Sequence, residues 1–201
     1  QQRRARRDVL AHPNPKIRYA SAHAIGQLAD DMPNDFQKAF HSTVIPALVL
    51  ALDDSVPRVQ AHVCAALTNF FEHATKEITL PYCETICQKL FSLIENGMSM
   101  LKENAATTLA TCAEKTEEAF VPYFNQTLQM LSKYLTEFSQ PEYKQFRGQV
   151  IEAITIICAA VGDEPFRAVA DDVIKVLLNI QNNQTQVDNK DAQRIYLLSS
   201  W

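Results

Sequence analysis

The sequence predicts an all-α fold of repeated helical hairpins, on three observations. Of its 201 residues 47% are hydrophobic and only four are glycine, while stretches dense in β-branched and aromatic residues, the kind strands use, are rare. Apolar residues recur at helical spacing along most of the chain. The motif Pro15-Lys16-Ile17-Arg18-Tyr19-Ala20 returns as Pro57-Arg58-Val59-Gln60-Ala61-His62, a step of 42 residues. That step lies in the range of about 40 to 47 residues used by helical-hairpin repeats of the HEAT and armadillo kinds.

The elements follow from the step in order. In the first copy Ile17, Ile25 and Leu28 stand at i, i+8 and i+11, one apolar stripe of a helix. The second copy has Val59, Leu67 and Phe70 there, and the third has Leu101, Leu109 and Cys112. A three-residue insertion at Ser139-Gln140-Pro141, in a loop that tolerates it, yields a fourth copy with Phe146, Ile154 and Ile157. These are the B helices. An A helix precedes the second, third and fourth, with stripes Ile45, Leu48 and Leu52, then Cys87, Leu90 and Ile94, then Leu128, Leu131 and Leu135. Breaker-rich turns such as Asp53-Asp54-Ser55-Val56-Pro57 separate A from B, and a proline at the first helical position has no N–H bond to lose. His41-Ser42 reads as a helix start, with Ser42 or Thr43 as N-cap. Asp191 to Trp201 reads as the opening of a further B helix.

The predicted units are 1–30 (partial), 34–74, 78–117, 119–162 and 164–201 (partial). One hairpin cannot hide its apolar faces, so neighbours stack. The expected architecture is a HEAT-repeat α-solenoid, a right-handed superhelix of antiparallel helix pairs with its function on the concave surface. A pattern that starts and stops in mid-repeat suggests a stretch of a longer array.

Several function classes are disfavoured. Gly26, Gly97, Gly148 and Gly162 stand too far apart to form a phosphate-cradling loop. A net charge of −4 argues against general attraction to nucleic acid and for basic partners. The longest apolar runs, Val44 to Leu52 and Ala153 to Val161, fall short of the roughly 18 residues that cross a bilayer, and no apolar segment of a signal sequence follows the basic run Gln1 to Arg7. Neither a membrane nor direct nucleic-acid contact is therefore expected. Five cysteines, an odd number within helical patterns, suit free thiols in the cytosol or nucleus. Cys83 and Cys87, at i and i+4, form half of a metal site with no second pair at zinc-like spacing, so no metal is expected. His12, His23, His41, His62 and His73 match no HExxH or nucleophile motif, and no catalytic residue, enzyme activity or cofactor is assigned. Arg18 and Arg58 read as inter-repeat ion-pair residues near Asp53 and Asp54.

The candidate site is a ladder on the polar side of the B helices. The 42-residue step joins Gln27, Asn69 and Thr111, and one turn on Asp30, Glu72 and Glu114. Amides suit the backbone of an extended peptide and carboxylates suit its lysine or arginine side chains. The alternative is the ordinary polar face of a surface helix.

The segments His12 to Asp31 and Arg58 to Phe70, with Phe120-Val121-Pro122-Tyr123-Phe124, Arg147 to Glu152 and Ala160 to Phe166, resemble the central repeats of importin-beta superfamily receptors. The nearest branch is the one called karyopherin beta three or importin five. The resemblance implies a nuclear import receptor that shuttles between cytoplasm and nucleus, touches phenylalanine-glycine nucleoporins, carries cargo bearing lysine-rich localisation signals and releases it to Ran-GTP. It implies that the asparagine of Ala66-Leu67-Thr68-Asn69-Phe70 holds the cargo backbone while Glu72, Asp30 and Glu114 receive basic side chains. The family's main Ran-binding repeats are amino-terminal, and no Ran site is assigned to these residues. The competing reading is a HEAT-repeat scaffold of the phosphatase-arm type.

Overall fold

The computed structural model describes residues 9–138, 140 and 143–182. The basic run 1–7, Ser139, Pro141 and the helix expected over 191–201 lie outside the described residues. The chain forms two compact units, 1–116 and 117–201. In the first, α1 (Pro15–Asp31), α2 (Asp35–Ala51) and α3 (Pro57–Glu72) are followed by a short α4 (Lys76–Thr79), a 3-10 turn (Leu80–Tyr82), α5 (Cys83–Asn96) and α6 (Ser99–Thr116). The second holds a 3-10 turn (Glu117–Phe120), α7 (Val121–Glu137), α8 (Lys144–Val161), α9 (Asp163–Arg167) and α10 (Ala170–Asn182). No strand occurs among the described residues.

Local signals set the helix ends. The Asn14 side chain accepts from Lys16 N at 2.9 Å and Pro15 opens α1, while α3 opens at Pro57 after an extended Val56. The expected helix start at Ser42 or Thr43 is corrected, because both lie in the middle of α2. The break is at Pro33-Asn34, where Asn34 takes a left-handed φ of 67° that asparagine tolerates, and α2 begins at Asp35.

In the first unit the B helices α1, α3 and α6 lie side by side. They run parallel, because contacting partners climb together from α1 to α3: Tyr19 meets His62, Gly26 meets Ala66 and Asp30 meets Asn69. The α1–α3 contact is close at Gly26, where a Cβ would stand 3.2 Å from the Ala66 Cα. Between α3 and α6 the Thr68 and Thr108 hydroxyls meet at 3.0 Å, and Thr108 also reaches the Cys64 carbonyl, so polar groups buried in the layer are satisfied. The A helices α2 and α5 pack on α3 and α6. Ile45, Leu48, Leu52, Cys87, Leu90 and Ile94 are buried against Val59, Leu67, Phe70, Leu101, Leu109 and Cys112. Each larger aliphatic or aromatic side chain contributes about 1.5–3 kcal/mol by leaving water.

The first copy departs from this pattern. Ile17 and Leu28 remain 38% and 41% exposed, because the described residues place no full helix over that side of α1. Ile25 and Leu28 instead line an apolar groove with Val9, Leu10, Phe36 and Val44.

One repeat position ties each B helix to the turn before it. Arg18 Nη1 donates to the His12 carbonyl at 2.8 Å, Gln60 to Leu52 at 2.9 Å and Lys102 to Glu95 at 3.2 Å. In the second unit Arg147, displaced by the three inserted residues, donates to Phe138 at 2.5 Å and Gln140 at 2.9 Å. Arg18 also grips Asp54 with two bonds of 2.5 and 2.9 Å, the inter-repeat ion pair expected of it. Among the described residues Arg58 pairs with no acid, and it lies over the Tyr19 ring, 4.6 Å from its centroid. Lys89 takes the neighbouring acid, Asp53, at 2.5 Å.

In the second unit α7 packs on α8, burying Leu128, Leu131 and Leu135 with Phe146, Ile154 and Ile157. Phe138 stacks edge-on against Phe146 at 5.1 Å. Gly162, at φ 82°, ends α8 in a conformation that side chains disfavour.

Candidate binding surface on the B helices

The C-terminal turns of α1 and α3 bring three of the predicted residues together. Asn69 Nδ2 donates to Asp30 Oδ2 at 2.5 Å across the helix contact. Asn69 is one turn before the end of α3, and Asp30 is in the last turn of α1, so the parallel packing that brings Gly26 against Ala66 places them opposite each other. Glu72 closes α3 in the open, and its carboxylate lies within 4.8 Å of the Asp30 and His73 polar atoms. His73 Nε2 stands 3.6 Å from Asp30 Oδ1. Sequence reasoning left His73 out, although it is four residues beyond Asn69 and therefore on the same face.

Gln27 is exposed one turn before Asp30, and Glu114 is exposed near the end of α6. Thr111 does not share this position: it is 7% exposed and its hydroxyl donates to the Thr107 carbonyl at 3.1 Å, a satisfied bond inside its own helix. The structure therefore clusters Asp30, Asn69, Glu72 and His73, leaves Gln27 and Glu114 as open neighbours and buries Thr111.

Charge placement sets this surface apart from an ordinary polar face. A helix favours acids in its first turn and bases in its last, by about 0.3–1 kcal/mol per charge. α1 and α3 do the reverse: neither has an acid in its first turn or a base in its last, and Asp30, Asp31 and Glu72 add negative charge where the backbone dipole is already negative. The arrangement costs helix stability and gathers a negative field at one edge. Two carboxylates and an amide in reach of each other can hold an ammonium or guanidinium group and hydrogen-bond the chain that carries it.

A second cluster lies in the core. Cys83, at the start of α5, has its sulfur 3.8 Å from that of Cys87 and 3.6 Å from that of Cys112 on α6, with the Thr116 hydroxyl at 3.8 Å. Sequence spacing paired the first two but hid the third, which arrives from another helix. The cluster offers three sulfurs where a structural zinc site takes four donors. Bonds from the Cys112 and Cys87 thiols hold Cys83 below the ordinary thiol range.

No family model matches the chain. It is 32% identical over 194 residues to importin subunit beta-3 of Saccharomyces cerevisiae, covering 96% of this chain and 18% of that protein. It is 24% identical over 161 residues to a probable importin subunit beta-4 of Schizosaccharomyces pombe, covering 80% of this chain and 15% of that one. The crystal structure of Kap121p aligns over 100% of this chain and 19% of its own, with a TM-score of 0.87 and 30% identity. Kap121p bound to Pho4p aligns over 98% of this chain and 18% of its own, with a TM-score of 0.85 and 29% identity. The fold is that of a HEAT-repeat solenoid, and the chain spans about a fifth of the length of these relatives.

Proposed function

The chain belongs to the karyopherin-beta superfamily, in its importin beta-3 branch, and on that premise we propose that it is a segment of a nuclear import receptor. In this reading its B-helix face binds the lysine-rich localisation signal of a cargo protein. The observation that carries the proposal is the cluster of Asp30, Asn69, Glu72 and His73 at the negative ends of parallel helices. A lysine ammonium sits between Glu72 and Asp30, while Asn69, oriented by Asp30, meets the peptide backbone. Gln27 and Glu114 extend the row on either side, and Thr111, buried and satisfied, contributes least.

Support comes from relatives whose crystal structures are of Kap121p bound to Pho4p, to Ste12p and to Nup53p. A further Kap121p structure is of a variant with three acidic residues replaced by lysine, at positions 43 and 42 residues apart. Asp30, Glu72 and Glu114 recur at nearly that step. In the full-length receptor, phenylalanine-glycine nucleoporins carry the loaded protein between cytoplasm and nucleus, and Ran-GTP, bound mainly elsewhere, releases the cargo. No helix among the described residues is long and apolar enough to cross a membrane.

The decisive experiment combines Asn69→Ala with Glu72→Arg and titrates a lysine-rich peptide by calorimetry. Binding is abolished while the helical circular-dichroism signal stays intact; an unchanged affinity removes the cargo role from these residues. Retention on immobilised phenylalanine-glycine repeats separates a receptor from a phosphatase-arm scaffold, which would instead recover a phosphatase catalytic subunit.

A further inference from the structure

The N-terminal halves of α1 and α3 carry the opposite charge, through Lys16, Arg18 and Arg58. Arg58 in the first turn of α3, His62 one turn on and His23 of α1 line a cavity of about 520 Å3, closed on the far side by Met100 and Asn104 of α6. The rings are organised: Tyr19 stacks flat on His62 with centroids 5.2 Å apart, His23 meets His62 edge-on at 5.8 Å, and the Arg58 guanidinium lies over Tyr19. Among the described residues neither Arg58 nor either histidine has a carboxylate partner or a side-chain hydrogen bond. Three cation-forming groups thus converge on a lining that holds no carboxylate among the described residues.

The cost of that convergence is visible at His62. Burial lowers its proton affinity, and the charges of His23 and Arg58 lower it further. An anion in the cavity reverses the last two effects and recovers the repulsion. The backbone adds to the attraction: the N-terminal end of α3 carries positive partial charge, offset in part by the Asp54 carboxylate that accepts from Val56 N. Arg58, held by its ring contact with Tyr19, presents a planar fork of N–H donors suited to a phosphate or carboxylate.

We propose that this cavity is an anion site that receives a phosphate or carboxylate on the same peptide whose lysine sits at Asp30 and Glu72. The link to the peptide rests on the reading of this face as a cargo surface; the cavity itself does not. His62 and Glu72 are ten residues apart on α3, about 15 Å along the helix. Four or five residues of extended peptide span that distance, at about 3.3 Å each. The surface then reads a bipolar signal, basic at one edge and acidic or phosphorylated at the other.

Three peptides test it, identical except for serine, glutamate or phosphoserine placed four or five residues from the lysine, each titrated into the chain by calorimetry. The phosphoserine peptide binds about tenfold more tightly than the serine peptide, with glutamate between them. Arg58→Ala combined with His62→Gln removes that gain and leaves the serine-peptide affinity unchanged. Equal affinities for all three overturn the anion site and spare the acidic row. Should no peptide bind, inorganic phosphate alone decides: saturable shifts of the His23 and His62 ring resonances, lost in the double variant, establish the anion cavity without the peptide, and absent shifts overturn it.

Discussion

Asn69 donates its side-chain amide to the Asp30 carboxylate across the α1–α3 contact, 2.5 Å from nitrogen to oxygen. The bond fixes the amide, so the Asn69 carbonyl oxygen is left to accept from an incoming N–H. Asn69→Ala alone should weaken a lysine-rich peptide by about fivefold, the value of roughly one neutral hydrogen bond. Thr111→Val should change affinity less than twofold, because the Thr111 hydroxyl is already spent on the Thr107 carbonyl. Calorimetry on both variants checks the pair. Equal losses would mean that the amide has no special part.

The contrast between these two residues shows what the sequence could and could not reveal. A 42-residue step located α1, α3 and α6, and a three-residue insertion α8, because burial repeats with the stack and leaves a periodic apolar stripe. The same step placed Asn69 and Thr111 in one row, yet the threonine is buried and the asparagine half exposed. Periodicity fixes the angle around a helix and not the depth of its neighbours. It likewise misjudged Ile17 and Leu28, whose stripe matches that of Val59 and Phe70 but lacks the same cover. Beyond the Arg18–Asp54 pair, contacts between helices were hidden: His73 joining Asp30, and Cys112 joining Cys83, depend on packing that one sequence does not display.

At Gly26 the two helices that build the site approach closely. A larger side chain there must push Ala66 away, because the obstructing atom is backbone and not a flexible side chain. Gly26→Leu should destabilise the chain by about 1–3 kcal/mol, the usual cost of overpacking, despite leucine's better helix propensity. It should also weaken peptide binding, since Asp30 moves with α1. Urea unfolding and calorimetry on one preparation test both effects; a stabilised variant with unaltered affinity would contradict the close contact.

The Arg18–Asp54 pair makes stability depend on acid. Burial works against the Asp54 charge, but the Arg18 guanidinium and the Val56 N–H outweigh it and hold the carboxyl below the usual carboxylate range. A carboxyl with a depressed folded-state pKa contributes stability that is complete above its unfolded value, about 3.9, and is lost as pH falls through the folded value. Asp54→Asn should therefore melt a few degrees below the parent at pH 7, and the gap should narrow progressively below about pH 4. Thermal melts across that range measure it. A gap that persists undiminished at pH 2 would assign the loss to packing and not to the ion pair.

The five cysteines should be silent in the native protein for a reason of access more than of acidity. All are buried, and burial pushes the Cys64 and Cys158 thiols up to about 12, so neither presents a thiolate at neutral pH. Cys83 differs, since hydrogen bonds from Cys112 and Cys87 favour its thiolate, but it is only 3% exposed. A thiol reagent at pH 8 should modify fewer than one cysteine per native chain and all five after denaturation. Reaction should track unfolding, with a rate that rises in urea along with the unfolded fraction. Rapid modification of Cys83 in the native state would show that solvent reaches the cluster between α5 and α6, and the tight packing ascribed to that hairpin would have to be abandoned.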